Sequence, residues 1–320
     1  MSINRRLFVG ALGATALGAP FRTQSQAWTL EPDPAGLTLK APDGKTVFTY
    51  LTRKPDGVPL AGFNACCFHP VNTLSGERVT DIAPSDHRDH RGTFLAWANM
   101  DFQRNSGTVH GDFWGWNHFA ATKGRIIVNR EIRLLSSDAK SAEVSVLNDW
   151  TIDGEKVLDE NTTVQVHEEP GARVLDFLFR LTSDADWSIG RAAFTGFVVR
   201  CRKDGQSYLS DAKGKVSLPD SDPLKPDLNW PAADWYSYTI ALNTGATVAA
   251  ALIDHPGNPR STWHEPRYVS FLNPCISALK PLNIPANQPL TLRYRTVFYD
   301  GEFPDGMLNR LAAEWRGKKS

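Results

Sequence analysis

The chain has 320 residues, of which 35 are Lys or Arg and 35 are Asp or Glu, so its formal charge is zero, and 41% of its residues are hydrophobic. This balance excludes disordered, collagen-like and coiled-coil proteins. It also argues against a nucleic-acid partner, because binding to a phosphate backbone depends on clustered Lys and Arg. The ten Trp, 24 Gly and 21 Pro are typical of short strands joined by many turns.

The N-terminal residues resemble an export signal. Arg5 and Arg6 precede an apolar run rich in Ala and Gly over residues 7–20, and residues 25–27 resemble a signal-peptide cleavage site. The alternative is a membrane anchor, but the run is shorter than the roughly 20 residues that span a bilayer. The sequence therefore predicts a twin-arginine-type signal peptide over residues 1–27 and a periplasmic or secreted mature chain, residues 28–320, without a stable membrane anchor.

The mature chain has the pattern of a large antiparallel β-protein. Runs rich in Val, Ile, Thr and aromatic residues alternate with Gly, Pro, Asp and Asn. Hairpin turns are predicted at Asp153-Gly154 and at residues 169–171, and one amphipathic helix at residues 307–315. We predict a single all-β domain, a large antiparallel two-sheet β-sandwich with a short C-terminal helix. The clearest predicted strands cover residues 45–51, 92–99, 125–133, 142–150, 161–167, 173–181, 191–202, 236–242, 246–253 and 290–299.

The four cysteines lack the C-x-x-C spacing of zinc or redox sites. Two of them, Cys66 and Cys67, are neighbours, and neighbouring cysteines rarely pair with each other. We expect buried thiols or at most one disulfide among Cys66, Cys67, Cys201 and Cys275.

A polar loop before the predicted strand at residue 92 concentrates groups suited to acid–base chemistry. It contains His87 and His90 among Asp and Arg residues, including Arg91. Imidazole titrates near neutral pH, a carboxylate orients it, and Arg binds a carboxylate or an oxyanion. One alternative is a salt-bridged surface loop. Another is a divalent-metal site in which Asp86 or His118 joins the two histidines, although no cofactor is our main expectation.

A second segment, residues 112–118, combines two indoles with a carboxylate, an amide and an imidazole. If it is extended, Asp112, Trp114, Trp116 and His118 share one face, because side chains alternate along a strand. Such a face suits a sugar, whose C–H groups stack on indole while its hydroxyls find polar partners. The alternative is that the two Trp residues belong to the core.

A third polar and aromatic segment, residues 254–267, follows the predicted strand at residues 246–253. Its prolines predict a rigid loop, which either caps the sheet end or joins the histidines in one site. The candidates in residues 254–267 are His255, Asn258, Trp263, His264 and Arg267.

Single charged residues at strand ends, Glu160 and Arg200, are further candidates.

Together these motifs resemble the PmoA-like family of secreted and periplasmic bacterial proteins, whose domain is of unknown function. The resemblance implies a β-sandwich similar to galactose-mutarotase-like domains and a setting in carbohydrate catabolism. Asp89 stands where the family pattern more often has a histidine, which weakens a metal-cluster interpretation. The motifs that carry the resemblance are residues 86–92, 112–114, 254–258, 263–264, 292–295 and 300–301.

The leading hypothesis is a periplasmic carbohydrate-active enzyme that moves protons on a sugar or glycoside, by hydrolysis, elimination or epimerisation. Its ligand is a small sugar or an oligosaccharide, and its oligomeric state is left open. The alternatives are a non-catalytic sugar-binding or sensing protein and a metal-dependent enzyme using His87, His90 and His118. The catalytic candidates are His87, His90, Asp112, His118 and Glu160. The substrate-binding candidates are Arg91, Trp114, Trp116, Asn117, Arg200, His255, Asn258, Trp263, His264 and Arg267.

Overall fold

The computed structural model describes residues 27–61, 64–266 and 268–317. The predicted signal peptide, apart from its last residue, lies outside these ranges, as does Arg267. In the described ranges no helix is long and apolar enough to cross a membrane.

The described residues form 22 strands, one 3₁₀ turn and one helix. The first eleven strands are β1 (Thr29–Asp33), β2 (Gly36–Lys40), β3 (Thr46–Leu51), β4 (Cys67–Val71), β5 (Thr93–Ala96), β6 (Met100–Arg104), β7 (Gly107–Gly111), β8 (Arg125–Ser137), β9 (Ser141–Ile152), β10 (Glu155–Glu169) and β11 (Ala172–Thr182). The remaining elements are β12 (Trp187–Ile189), β13 (Gly196–Arg200), β14 (Gly205–Asp211), β15 (Gly214–Lys215), the 3₁₀ turn (Pro226–Leu228), β16 (Trp235–Leu242), β17 (Thr247–Asp254), β18 (Thr262–Trp263), β19 (Phe271–Leu272), β20 (Pro274–Cys275), β21 (Leu282–Ile284), β22 (Leu290–Asp300) and α1 (Met307–Gly317).

Two large antiparallel sheets contain most of the strands. One has the order β15-β14-β16-β17-β22-β11-β10-β9-β8, and the other β1-β2-β3-β4-β5-β13-β19. Smaller sheets pair β21-β12-β6-β7 and β18-β20. Both predicted hairpins are present: Asp153 and Gly154 adopt positive φ angles of 53° and 90° between β9 and β10, and Gly171 has a φ of 77° between β10 and β11. The prediction of an all-β fold with a short C-terminal helix is confirmed.

The two large sheets pack face to face around one apolar core. Phe68 of β4 contacts Phe177 of β11, with ring centroids 5.2 Å apart, and Phe177 contacts Phe197 of β13 at 4.9 Å. β9 shows why these segments are strands: its residues alternate between buried and half-buried along its whole length. Burial of each such aromatic side chain contributes roughly 1.5–3 kcal/mol. All four cysteines are buried free thiols.

Helix α1 covers the outer face of the nine-stranded sheet. Leu308, Leu311, Ala312 and Trp315 form its buried stripe, as predicted. It packs on Val174, Ile253 and Val297 and their neighbours in strands β11, β17 and β22.

A glycine positions the histidine-bearing loop at the end of β5. The Gly92 amide donates to the Asp81 carbonyl at 2.7 Å, and the Gly92 carbonyl accepts from the Arg200 amide at 2.8 Å. Gly92 has a φ of 58°, and a Cβ there would lie 2.3 Å from the carbonyl oxygen of Phe68. Because only glycine fits this position, residues 84–91, called the histidine loop below, are held beside the end of β13, where Arg200 lies.

Candidate functional site

One cavity collects three of the predicted histidines. Its volume is about 90 Å³, and we call it the histidine pocket. Its walls carry three imidazoles, one carboxylate and several apolar or aromatic side chains. The lining residues are His87, Asp89, His90, Trp116, Phe194, Pro223, His264, Pro266, Tyr268, Val269 and Phe271.

The fold of the histidine loop stacks its two imidazoles. The His87 amide donates to the Pro84 carbonyl and the His90 amide to the His87 carbonyl, each at 3.1 Å. The rings of His87 and His90 are 4.7 Å apart at 18°. The spacing of three residues in this turn therefore places both rings in the same wall.

Arg200 determines which ring nitrogen of His90 carries the proton. Nδ1 of His90 lies 3.3 Å from a guanidinium nitrogen of Arg200. A guanidinium only donates hydrogen bonds, so Nδ1 accepts and the ring proton is on Nε2. Burial and the nearby charge of Arg200 hold the pKa of His90 well below its usual value. His90 is therefore a neutral imidazole whose Nε2–H acts as a donor.

Asp86 lies beside the other stacked histidine. Its Oδ2 lies 3.2 Å from Nδ1 of His87, in a contact that is bent away from hydrogen-bond geometry. Burial raises the pKa of Asp86, but the hydrogen bond from Lys203 at 2.8 Å and the charge of Arg200 outweigh it and lower the pKa. The carboxylate lies on the Nδ1 side of the His87 ring, and a neutral imidazole that carries its proton on Nδ1 has its lone pair on Nε2.

The third imidazole, His264, comes from a distant loop and is also neutral. The Asn229 amide nitrogen donates to the Ala193 carbonyl at 2.5 Å, which turns the Asn229 Oδ1 toward Nδ1 of His264, 3.1 Å away. Nδ1 of His264 is therefore the donor, and Nε2 carries the lone pair. Burial lowers the pKa of His264 to about 3.

Asp89 is the carboxylate of the pocket wall. Its Oδ2 accepts the indole N–H of Trp114 at 2.9 Å and lies 3.9 Å from Nε2 of His90. Burial raises the pKa of Asp89, against the opposing effect of its hydrogen bonds. Trp114 is 1% exposed, so its indole anchors Asp89 and has no free face for a ligand.

The segment from Asp112 is a tight loop rather than the extended strand that the sequence suggested. The two carboxylate oxygens of Asp112 accept the amides of Gly115 at 2.7 Å and Asn117 at 2.6 Å, and both residues have positive φ. This turn sends Trp114 into the core and Trp116 into the pocket wall. Asp112 itself has no exposed surface, so it does not reach a ligand.

Two further candidates also belong to this loop. Asn117 is exposed at the loop tip. His118 lies outside the pocket, with its ring against that of Trp116 at 4.5 Å.

Arg91 and Trp263 are buried and support the structure rather than the pocket. The Arg91 guanidinium donates to the carbonyls of Phe113 and Trp114 at 3.2 and 3.0 Å and covers the ring of Phe94 at 4.1 Å. Trp263 has no exposed surface. The substrate contacts expected for both side chains are therefore blocked by burial.

Glu160 is enclosed between the two large sheets. Its carboxylate accepts the indole N–H of Trp150 at 2.7 Å and the hydroxyl of Thr162 at 2.8 Å. Burial raises its pKa, which the bond from Trp150 opposes. Glu160 does not line the histidine pocket.

His255 and Asn258 line a different cavity, of about 280 Å³. Asn258 donates to Asp254 and to the Arg293 carbonyl, both at 2.7 Å, which fixes the loop to β17 and β22. Among the described candidates of this loop, His264 lines the histidine pocket, whereas His255, Asn258 and Trp263 do not.

The metal alternative depends on where His87, His90 and His118 lie. In the part of the chain that the structure describes, no group of three His, Cys, Asp or Glu residues could hold a metal ion. His87 and His90 line the histidine pocket, whereas His118 does not.

Comparison with protein families identifies the chain. The model of a family of unknown function, DUF6807, matches residues 40–313. The chain belongs to this family. The PmoA-like resemblance stays a prediction. Curated proteins gave no match to this DUF6807 member.

Solved structures give distant likenesses. A galactose-mutarotase-related enzyme from Lactobacillus acidophilus has 7% identity and a TM-score of 0.36 over 86% of this chain and 100% of that one. A GalM/aldose epimerase homologue from C. elegans has 9% identity and a TM-score of 0.34, covering 86% and 99% of the two chains. The α-galactosidase AgaB from Geobacillus stearothermophilus has 8% identity and a TM-score of 0.33, covering 87% and 39%. At these identities the likeness concerns the fold alone.

Several residues that form the histidine pocket of this DUF6807 member were not predicted from the sequence. Phe194, Phe271, Pro223 and Tyr268 line its walls, and Asn229 fixes His264. The apolar ones look like core residues in the sequence. Tyr268 follows Arg267 in the sequence, and this neighbouring candidate is the one local feature that points to Tyr268 as a pocket residue.

Proposed function

We propose that this protein is a carbohydrate-active enzyme that moves a proton on a sugar or glycoside bound in the histidine pocket. The observation that carries the proposal is the set of three imidazoles with different hydrogen-bonding states in one small cavity. His90 offers a donor, whereas His87 and His264 offer lone pairs. A sugar hydroxyl both donates and accepts, so such a mixed set suits a polyhydroxylated ligand.

The two stacked histidines take different roles. Nε2 of His87, which lies beside Asp86, accepts the proton of a substrate C–H bond next to a carbonyl or carboxylate group, and the electrons of that bond move onto its oxygen. In elimination they then form a C=C bond as the leaving oxygen departs with the proton from His87, whereas in epimerisation the carbon regains a proton on its other face. The Nε2–H of His90 hydrogen-bonds the oxygen atom on which negative charge collects as that proton leaves. Because His90 stays neutral, it stabilises this charge as a hydrogen-bond donor and does not compete with His87 as a base.

Proton abstraction is favoured over glycoside hydrolysis. Most glycosidases use two carboxylates that flank the scissile bond. The lining of the histidine pocket, as far as it is described, contains one carboxylate, Asp89. We therefore propose elimination or epimerisation as the reaction class. The proposal includes export, on the basis of the twin-arginine-type signal predicted over residues 1–27.

The test is a panel of monosaccharides, oligosaccharides and uronic-acid glycans incubated with the protein in D₂O and followed by NMR, which detects both new products and hydrogen exchange. We expect turnover of at least one sugar, reduced about 10²-fold or more by His87→Ala. The matched control is His110→Ala, because His110 is exposed on β7 and pairs with Asp101 away from the pocket. Unchanged turnover in His87→Ala would overturn the proposed base, and binding without any product would favour a sugar-binding protein.

A further inference from the structure

Three neighbouring rings extend from the mouth of the histidine pocket onto the protein surface. Trp116 contacts His118 at 4.5 Å and Phe119 at 5.4 Å, measured between ring centroids, and His118 contacts Phe119 at 5.0 Å. We call Trp116, His118 and Phe119 the aromatic shelf. It is continuous with the pocket, because Trp116 also lines the pocket and contacts Phe194 of its wall at 4.6 Å.

The outer end of the shelf faces solvent. Phe119 is 40% exposed, and His118 is exposed too. The loop ends before β8 and needs neither ring for the turn, which is built by Asp112 and the amides of Gly115 and Asn117. An exposed phenyl ring beside a pocket suits contact with a ligand rather than with the core.

The size of the pocket directs a longer ligand onto this shelf. Its volume of about 90 Å³ is far below the 300–1,000 Å³ of pockets that enclose drug-sized ligands. A cavity of about 150 Å³ is needed to enclose benzene, so the histidine pocket takes up only part of one sugar ring and a second unit of a chain must lie outside it. Across the mouth, Tyr268 is 56% exposed and lies 6.4 Å from the ring of His87, which leaves the mouth flanked by aromatic rings.

We propose that the aromatic shelf is a second binding position for a further sugar unit, so that the substrate is an oligosaccharide rather than a free monosaccharide. The inference rests on the proposed function, since it places the first unit in the histidine pocket. The C–H face of the outer unit stacks on Phe119, and the exposed imidazole of His118 hydrogen-bonds a hydroxyl.

The test compares the affinity for a monosaccharide with that for its oligomers. Isothermal titration calorimetry is run with glucose, galactose, mannose and xylose and with their 1,4-linked di- and trisaccharides, and Trp fluorescence reports contact with Trp116. An aromatic contact contributes roughly 0.5–1.5 kcal/mol, which corresponds to about a twofold to twelvefold gain in affinity. We expect the wild-type protein to bind at least one oligomer that much more tightly than its monomer.

Variants of Phe119 then show whether the higher affinity for the oligosaccharide comes from the aromatic shelf. In Phe119→Ala the ratio of monosaccharide Kd to oligosaccharide Kd is expected to fall close to one, whereas Phe119→Trp keeps it. Leu135→Ala serves as the control, since Leu135 is 53% exposed on β8 and does not line the pocket. Equal wild-type affinity for monomers and oligomers, or a gain that persists in Phe119→Ala, overturns the shelf and leaves the proposed function standing. Absence of binding for all of these sugars and for the uronic-acid glycans of the turnover panel overturns both.

Discussion

Replacing Asp112 by Ala removes the acceptor of two backbone amides in the loop that carries Trp116. The Asp112 oxygens lie 2.7 Å from the Gly115 amide and 2.6 Å from the Asn117 amide. Hydrogen bonds to a charged group contribute roughly 1.5–3 kcal/mol each. Since Asn117 is exposed, water replaces part of the lost bonding. We therefore expect the free energy of unfolding to fall by about 3 kcal/mol, a large share of the 5–15 kcal/mol typical of a folded protein.

Two measurements test this expectation. Urea unfolding gives the change in the free energy of unfolding. Limited proteolysis with chymotrypsin gives the mobility of the loop, because the loop contains cleavable aromatic residues, Trp116 and Phe119 among them. We expect faster cleavage there in Asp112→Ala, and a KM that rises more than kcat falls for the sugar identified in the panel.

Asp138 provides a matched control. Its carboxylate also accepts two backbone amides, those of Lys140 and Ser141 at 2.8 Å, in an exposed hairpin turn. Asp138→Ala should give a smaller loss of stability and unchanged turnover, because water replaces its bonds. If Asp112→Ala abolished turnover while leaving stability and proteolysis unchanged, Asp112 would belong to the chemistry, and the structural role assigned to it would be refuted.

Two further expectations concern the neutral histidines of the pocket. The pKa of His264 is lowered from 6.5 to about 3 in the folded chain, so the unfolded chain binds the proton first and stability is lost as the pH falls below about 6.5. Urea unfolding at pH 7 and pH 5 should show the wild-type protein losing about 2 kcal/mol more than His264→Gln, and equal losses in the two proteins would show that His264 is not held neutral. For His90, turnover should fall about 10²-fold or more in His90→Ala and less in His90→Gln, which keeps an N–H donor; equal losses in the two variants would contradict the donor role.

The long strands, the hairpin turns and the helix could be predicted because the residue patterns that form them lie within short stretches of the sequence. The segment that became β9 alternates between polar and apolar residues except at Leu147 and Asn148, and Asp153-Gly154 provides the turn that follows it. Helix α1 has a four-residue apolar stripe over three turns. The strands of two or three residues, such as β18 and β19, are too short for any periodicity, and their pairing depends on contacts across the sheet.

The sequence correctly grouped His87 with His90, since they are three positions apart in one turn. It was wrong about the shape of the next segment, where Asp112 was treated as a strand residue and not as the acceptor that closes a turn. That difference decides which indole faces the ligand: Trp116 lines the pocket, whereas Trp114 is buried. A sequence of this kind can form either a strand or a turn closed by the aspartate side chain. Gly115 and Asn117 both adopt positive φ angles, which a strand does not allow, so the turn forms.

The different roles of His87 and His90 depend on residues that the sequence does not place beside them. By spacing alone the two imidazoles are equivalent, each next to an aspartate. The partner that distinguishes them is Arg200, which is 110 positions from His90 along the chain and reaches it only because β13 pairs with β5. Its guanidinium binds both Nδ1 of His90 and the carboxylate of Asp86. Arg200 therefore makes His90 a donor and, together with Lys203, lowers the pKa of the carboxylate beside Nδ1 of His87.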